Sequence, residues 1–120
     1  YPPLAAEAVA AADLVVGNED EVAAARVGPI ERLVLKRGER GATVFEDGVE
    51  TDVPGFPVDV VNGLGAGDAF AAALGHGILR GLSTTDAVQR ATVAGALVAA
   101  QLACSEAMPV LAELDAAVPL

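Results

Sequence analysis

Tryptophan is absent from this 120-residue chain, and cysteine, histidine and lysine each occur once. Each scarcity excludes something. A lone Cys104 cannot close an internal disulfide, so a reducing compartment, the cytoplasm, is expected. Lys36 is the only lysine among 7 basic residues, set against 17 acidic ones for a net charge of −10. Nucleic-acid binding needs clustered cations to displace counterions from phosphates, so no nucleic-acid partner is expected. The same balance opposes docking on an anionic membrane. The longest apolar stretch, Ala91 to Ala100, is about half of the roughly 20 residues a bilayer crossing needs. Tyr1-Pro2-Pro3 lacks the basic start of a secretory signal, and the chain opens without Met, which suggests a piece of something longer.

What is present is apolar and small. Hydrophobic residues make up 53% of the chain while aromatics make up 3%, enough to bury a core and rule out a disordered class. The 13 Gly and 7 Pro follow no period, which excludes collagen-like and low-complexity chains. The length predicts one domain, residues 1–120.

The patterning alternates strands and helices. Leu4 to Ala12 reads as the end of a helix. Leu14 to Gly17 is wholly apolar, as in a strand covered on both faces. Asn18-Glu19-Asp20-Glu21 can cap a helix over Glu21 to Val27, broken by Gly28-Pro29. Leu33 to Lys36 is a strand ended by Arg37-Gly38-Glu39-Arg40-Gly41. Ala42 to Phe45 and Val49 to Val53 form a hairpin around Glu46-Asp47-Gly48. After a rigid connector, Pro54 to Pro57, a brief strand is expected at Val58 to Val61. Asn62 to Asp68 is a Gly-rich turn opening a helix over Ala69 to Leu79. Ser83 to Asp86 resembles a capping box for a buried helix from about Asp86 to Leu102. A loop, Cys104 to Pro109, precedes a closing helix over Val110 to Val118. The class is α/β with a mostly parallel sheet flanked by helices.

The Gly-rich turn carries the strongest chemical signal. Gly63, Gly65 and Gly67 let the backbone come close to a ligand. Amides at a helix start point outward with the positive end of the dipole behind them, which suits phosphate. Asp68 in the first turn repels an anion, so its sensible role is to accept a proton from an attacking hydroxyl. The plain alternative is an ordinary first-turn acid. The Walker loop and the dinucleotide fingerprint are excluded by spacing.

Val58 to Phe70, with Asn62-Gly63-Leu64-Gly65-Ala66-Gly67-Asp68 at its centre, resembles the second signature of the ribokinase-like (PfkB) carbohydrate kinases. Asn18-Glu19-Asp20-Glu21 is similar to that family's Asn-x-x-Glu motif, and Lys36 to Ala42 to its nucleotide loop. The resemblance covers nearly the whole chain, but only the C-terminal part of such a kinase, whose sugar pocket and lid come mainly from the other half. It implies a three-layer ribokinase-like fold and phosphorylation by ATP with Mg²⁺ of the primary hydroxyl of a sugar or sugar acid. Gly65, Ala66 and Gly67 would form an anion hole and Asp68 the base. Asn18 and Glu21 would place Mg²⁺ and phosphate, and Lys36, Gly38 and Gly41 would pass by the nucleotide.

The chain also departs from the family. Asn62 stands where relatives carry an Asp that helps hold a monovalent cation, which leaves K⁺ open while keeping Asn62 a candidate metal neighbour. Thr92 stands near where relatives place an Asn by the adenine. The interval from Glu21 to Leu33 is short. Other members of the family (a ribokinase, fructokinase or 2-keto-3-deoxygluconate kinase) and a non-catalytic nucleotide-binding module remain alternatives, as does a homodimer. Several residues have plainer readings. His76 reads as packing, Cys104 as a small buried hydrophobe and Lys36 as a phosphate contact or a strand end. Arg80 and Arg90 have no evident place beside an acidic sugar.

Overall fold

The computed structural model describes residues 12–25, 31–59, 64–100 and 118. They belong to two compact units, Tyr1–Val53 and Pro54–Leu120.

The first unit is a sheet with one helix against it. Strand β1 (Val15–Asn18) leads into helix α1 (Glu19–Ala25); β2 (Arg32–Lys36), β3 (Ala42–Glu46) and β4 (Val49–Val53) follow. The strand order is β1-β2-β3-β4. β1 pairs parallel with β2, and β2–β3 and β3–β4 are antiparallel. The fold is therefore α/β as expected, but the described sheet is mixed rather than mostly parallel, because the hairpin supplies both antiparallel pairings. Its turn is Asp47-Gly48, with φ of 53° and 75°. Two left-handed residues match the right-handed twist of the flanking strands, and Asp-Gly provides them at low strain. Val34 at the centre of β2 is fully buried, and Ala42, Val44 and Val53 join it. Arg32 and Glu46 face each other across β2–β3 with Nε–Oε2 at 3.0 Å; a pair this exposed adds only about 0.2–1 kcal/mol.

Two expectations change here. β1 was read as covered on both faces, yet Val16 is 37% exposed. Among the described residues β1 is the sheet's edge strand, with a neighbour on one side only. Of the strand expected at Val58 to Val61, Val58 and Asp59 have no regular structure, and residues 60 and 61 lie outside the described set. The expected helices at 4–12 and 110–118 and the 104–109 loop also fall almost wholly outside it.

The second unit is built on an antiparallel pair of helices, α2 (Ala66–Leu79) and α3 (Thr84–Ala99). α2 buries Ala69, Phe70, Ala73, Leu74 and Gly77, one face at helical spacing. α3 is buried without a break from Arg90 to Gly95, in line with its apolar centre. α2 ends on Gly81 at φ 84°. Gly81 N–H bonds to Ile78 O and Leu82 N–H to Gly77 O, both at 3.0 Å. This paired closure satisfies carbonyls the helix leaves open, and the left-handed position favours glycine. Gly77 and Gly95 bring the helices together at opposite ends. A Cβ on Gly77 would lie 3.0 Å from Ala87 Cβ, and one on Gly95 would lie 3.2 Å from Ala66 O.

Ser83 caps α3, its Oγ accepting from Asp86 N–H at 3.1 Å. Ser83→Ala removes that acceptor and is expected to lower stability by about 1 kcal/mol, read as a lower urea midpoint with an unchanged m-value. A midpoint equal to that of the parent protein would show that the cap contributes nothing. Among the described residues no helix is long and apolar enough to cross a membrane.

Candidate active site

The Gly-rich corner opens α2. Gly65 is the residue before the helix, at φ 87° and ψ −11°, and has no side chain of its own to cap it. That left-handed conformation is accessible to glycine at little cost. The first intrahelical bond runs from Ala69 N–H to Gly65 O at 3.0 Å. The amides of Ala66, Gly67 and Asp68 therefore have no acceptor within the helix and carry the positive end of its dipole. Asp68 is in the first turn and exposed. This corner gathers four of the expected site residues, Gly65, Ala66, Gly67 and Asp68, and places open donors beside an accessible carboxylate. Asn62 lies outside the described residues.

Two further residues of interest lie on α3 and α2. Thr92 is buried, and its hydroxyl donates to Val88 O at 2.8 Å, the usual back-bond of a mid-helix threonine. His76 lies eight positions after Asp68, about 12 Å along the axis, too far for direct contact. Its Nδ1 is buried with no hydrogen-bond partner among the described residues.

In the first unit, Asn18 and Glu21 cap α1 reciprocally. Glu21 N–H donates to Asn18 Oδ1 at 2.8 Å, and Asn18 N–H donates to Glu21 Oε1 at 3.0 Å. That is a capping box with Asn in the Ser/Thr position. It explains why α1 begins at Glu19, two residues before the expected start. Lys36 ends β2 directly opposite Asn18 in the parallel register, so both lie at the carboxyl ends of neighbouring parallel strands, where open α/β sheets bind ligands. The Lys36–Gly41 segment then closes into a 3₁₀ turn, Gly38–Arg40. Gly38 and Gly41 sit at φ 59° and 92°, and Arg37 N–H bonds to Gly41 O at 2.8 Å.

Sequence reasoning missed what holds this loop. Arg37 Nη1 donates to the fully buried Thr43 Oγ1, which donates to Asp52 Oδ1 at 2.7 Å. Arg37 Nε also stands 3.5 Å from Glu19 Oε1. One guanidinium thus ties the loop to β3, to β4 and to the first turn of α1. The fork of donors on arginine suits this, whereas a lysine offers a single point charge. Among the described residues no group of three His, Cys, Asp or Glu stands together as a metal cage.

Residues 3–111 match the description "pfkB family carbohydrate kinase". The chain belongs to that family. The 5-dehydro-2-deoxygluconokinase of Clostridium tetani (strain Massachusetts / E88) is 34% identical over 99 residues, covering 81% of this chain and 29% of the relative. The nucleoside kinase of Burkholderia thailandensis, solved with inosine, superposes with a TM-score of 0.86 at 25% identity, covering 98% of this chain and 42% of that one. A candidate ribokinase II of E. coli in complex with ATP and Mg²⁺ gives 0.81 at 24% identity over 92% of this chain and 40% of its own. The ribokinase-like fold is therefore established. This pfkB chain spans under a third of the length of the C. tetani kinase.

Proposed function

We propose that the whole protein carrying this chain transfers the γ-phosphoryl of ATP, held with Mg²⁺, to the primary hydroxyl of 5-dehydro-2-deoxy-D-gluconate. One observation carries the reading: a left-handed, uncapped Gly65 opens three helix amides beside the exposed carboxylate of Asp68. Phosphoryl transfer asks the protein mainly for positioning and charge stabilisation, with one group to take the alcohol's proton. The amides after Gly65 would neutralise charge on the moving phosphoryl. Asp68, which like charge bars from binding phosphate, would accept the proton. The named substrate of the C. tetani relative supports the choice of sugar acid.

Lys36, Gly38 and Gly41 would contact the nucleotide. Thr92, its hydroxyl proton already donated to Val88 O, would offer adenine no donor, only its methyl group and an acceptor lone pair. A nucleotide-borne Mg²⁺ takes most ligands from phosphate and water and needs only one or two carboxylates. Glu21 fits that demand, since the cap uses Oε1 and not Oε2. Asn18 and Glu21 would act on the ion through water, and Asn62 would be a further neighbour. The ion would supply charge neutralisation on the phosphates. The lone cysteine suits a cytoplasmic setting.

The test is ADP release from MgATP by the purified whole protein across a panel of acceptors. The highest kcat/KM is expected on 5-dehydro-2-deoxy-D-gluconate. A higher value on ribose, fructose or 2-keto-3-deoxygluconate would replace the substrate. ATP binding in calorimetry without acceptor-dependent ADP release would make the protein a nucleotide-binding module instead.

A further inference from the structure

We infer that Gly95, in the C-terminal half of the buried helix α3, is a positioning residue for the anion hole at the start of α2. The inference rests on the kinase reading above. Glycine is the second-poorest helix former, so one in an otherwise alanine-rich, buried helix calls for a reason in packing. The reason is on the neighbouring helix. A Cβ built on Gly95 would lie 3.2 Å from the carbonyl oxygen of Ala66 and 3.8 Å from Phe70 Cβ. At the shorter distance the neighbour must give by a few tenths of an ångström. The neighbour here is backbone, without rotamers to relax into.

The peptide involved is the one that matters for the chemistry. Ala66 C=O and Gly67 N–H belong to a single planar unit. The oxygen rests against Gly95; the hydrogen at the other side of the same plane is one of the open donors beside Asp68. Pressure on the oxygen tilts the plane and turns the Gly67 N–H away from its direction. A hydrogen bond to a developing charge weakens steeply with angle, and stabilisation of this kind depends on donors fixed in advance. Gly95 thus sets the aim of a donor it does not itself provide. Gly75, on the exposed side of α2, has nothing within 4 Å of a built Cβ and serves as the control for the same change.

The experiment compares Gly95→Ala, Gly95→Val and Gly75→Ala in the whole protein. Three quantities are read: kcat and KM with sugar and MgATP, the unfolding temperature, and calorimetric affinity for MgADP with and without aluminium fluoride, which mimics the transferring phosphoryl. Gly95→Ala is expected to lower kcat about 10-fold with both KM values within about twofold of the parent. Affinity for the aluminium fluoride complex should fall by the same factor while MgADP affinity holds. The unfolding temperature should change little, because the better helix propensity of alanine offsets the strain at the Ala66 carbonyl. Gly95→Val should deepen the loss of kcat, and Gly75→Ala should leave kcat unchanged. A kcat for Gly95→Ala equal to the parent's would overturn the inference. So would a loss that follows a lowered unfolding temperature, or an equal loss in Gly75→Ala. A parent protein that releases no ADP with any acceptor removes the kinase reading, and this inference with it; an active parent with an indifferent Gly95 removes the inference alone.

Discussion

Asp68→Asn is expected to lower kcat by about 10²–10⁴-fold, the range for loss of a general base, while nucleotide affinity stays the same or rises slightly. Asparagine keeps the size of the side chain and its place in the first turn of α2, and removes the ability to take a proton. It also removes a negative charge beside the open amides of Ala66 and Gly67, which relieves repulsion of the phosphate. The plain alternative is an acid whose only function is to favour the helix dipole, and magnitudes separate the two. A first-turn carboxylate stabilises a helix by about 0.3–1 kcal/mol. The expected kinetic loss corresponds to about 2.7–5.5 kcal/mol of barrier, at roughly 1.4 kcal/mol per tenfold. Steady-state kinetics, paired with calorimetric titration of MgATP and a melting curve, decide the matter. A kcat within about threefold of the parent, with a small drop in melting temperature, would leave Asp68 as a helix stabiliser and nothing more.

The corner was legible in the sequence because glycine spacing and an adjacent acid are local properties. Its boundary was less so. α2 was expected from Ala69 and begins at Ala66, because Gly65, Gly67 and their neighbours read together as a turn. In the folded chain only Gly65 of these two takes a positive φ, and Gly67 is an ordinary helical residue. The hairpin from β3 to β4 was read closely for the opposite reason: Asp47-Gly48 admits one tight turn, and that turn sets the register of both strands.

The parts that escaped are those that need partners distant in sequence. Arg37 looked like the end of a strand. Its hold on the loop depends on Thr43 lying directly opposite Asp52 across β3–β4, a pairing invisible until the register is known. Gly95 did leave a local sign, since glycine within a buried helical pattern points to a close backbone approach. What approaches it could come only from the packing of α2 on α3. The capping exchange of Asn18 with Glu21 was foreseen as one of two readings, and it is compatible with the second because it occupies one carboxylate oxygen of two.

Arg90 shows how far charge alone misleads, and it yields the second large effect. An acidic substrate invites a search for arginines, yet Arg90 is 1% exposed, and its guanidinium donates through Nη1 to the carbonyl of Val118, 28 residues along the chain. It is therefore an anchor inside the second unit. Arg90→Ala should destabilise the protein by about 2–4 kcal/mol, chiefly through the cavity where the long stem was packed, with a smaller part from the half-buried Val118 carbonyl deprived of its donor. Arg90→Met fills most of that volume and removes a charge that burial disfavours, so it should cost at least about 1 kcal/mol less than alanine. Urea denaturation of the two variants separates packing from hydrogen bonding. Equal losses would mean that the bond to Val118 outweighs the stem, and a loss below about 0.5 kcal/mol for alanine would mean the side chain anchors nothing. In either variant the folded fraction should turn over at the parent rate, since a guanidinium enclosed in the core has no access to the sugar.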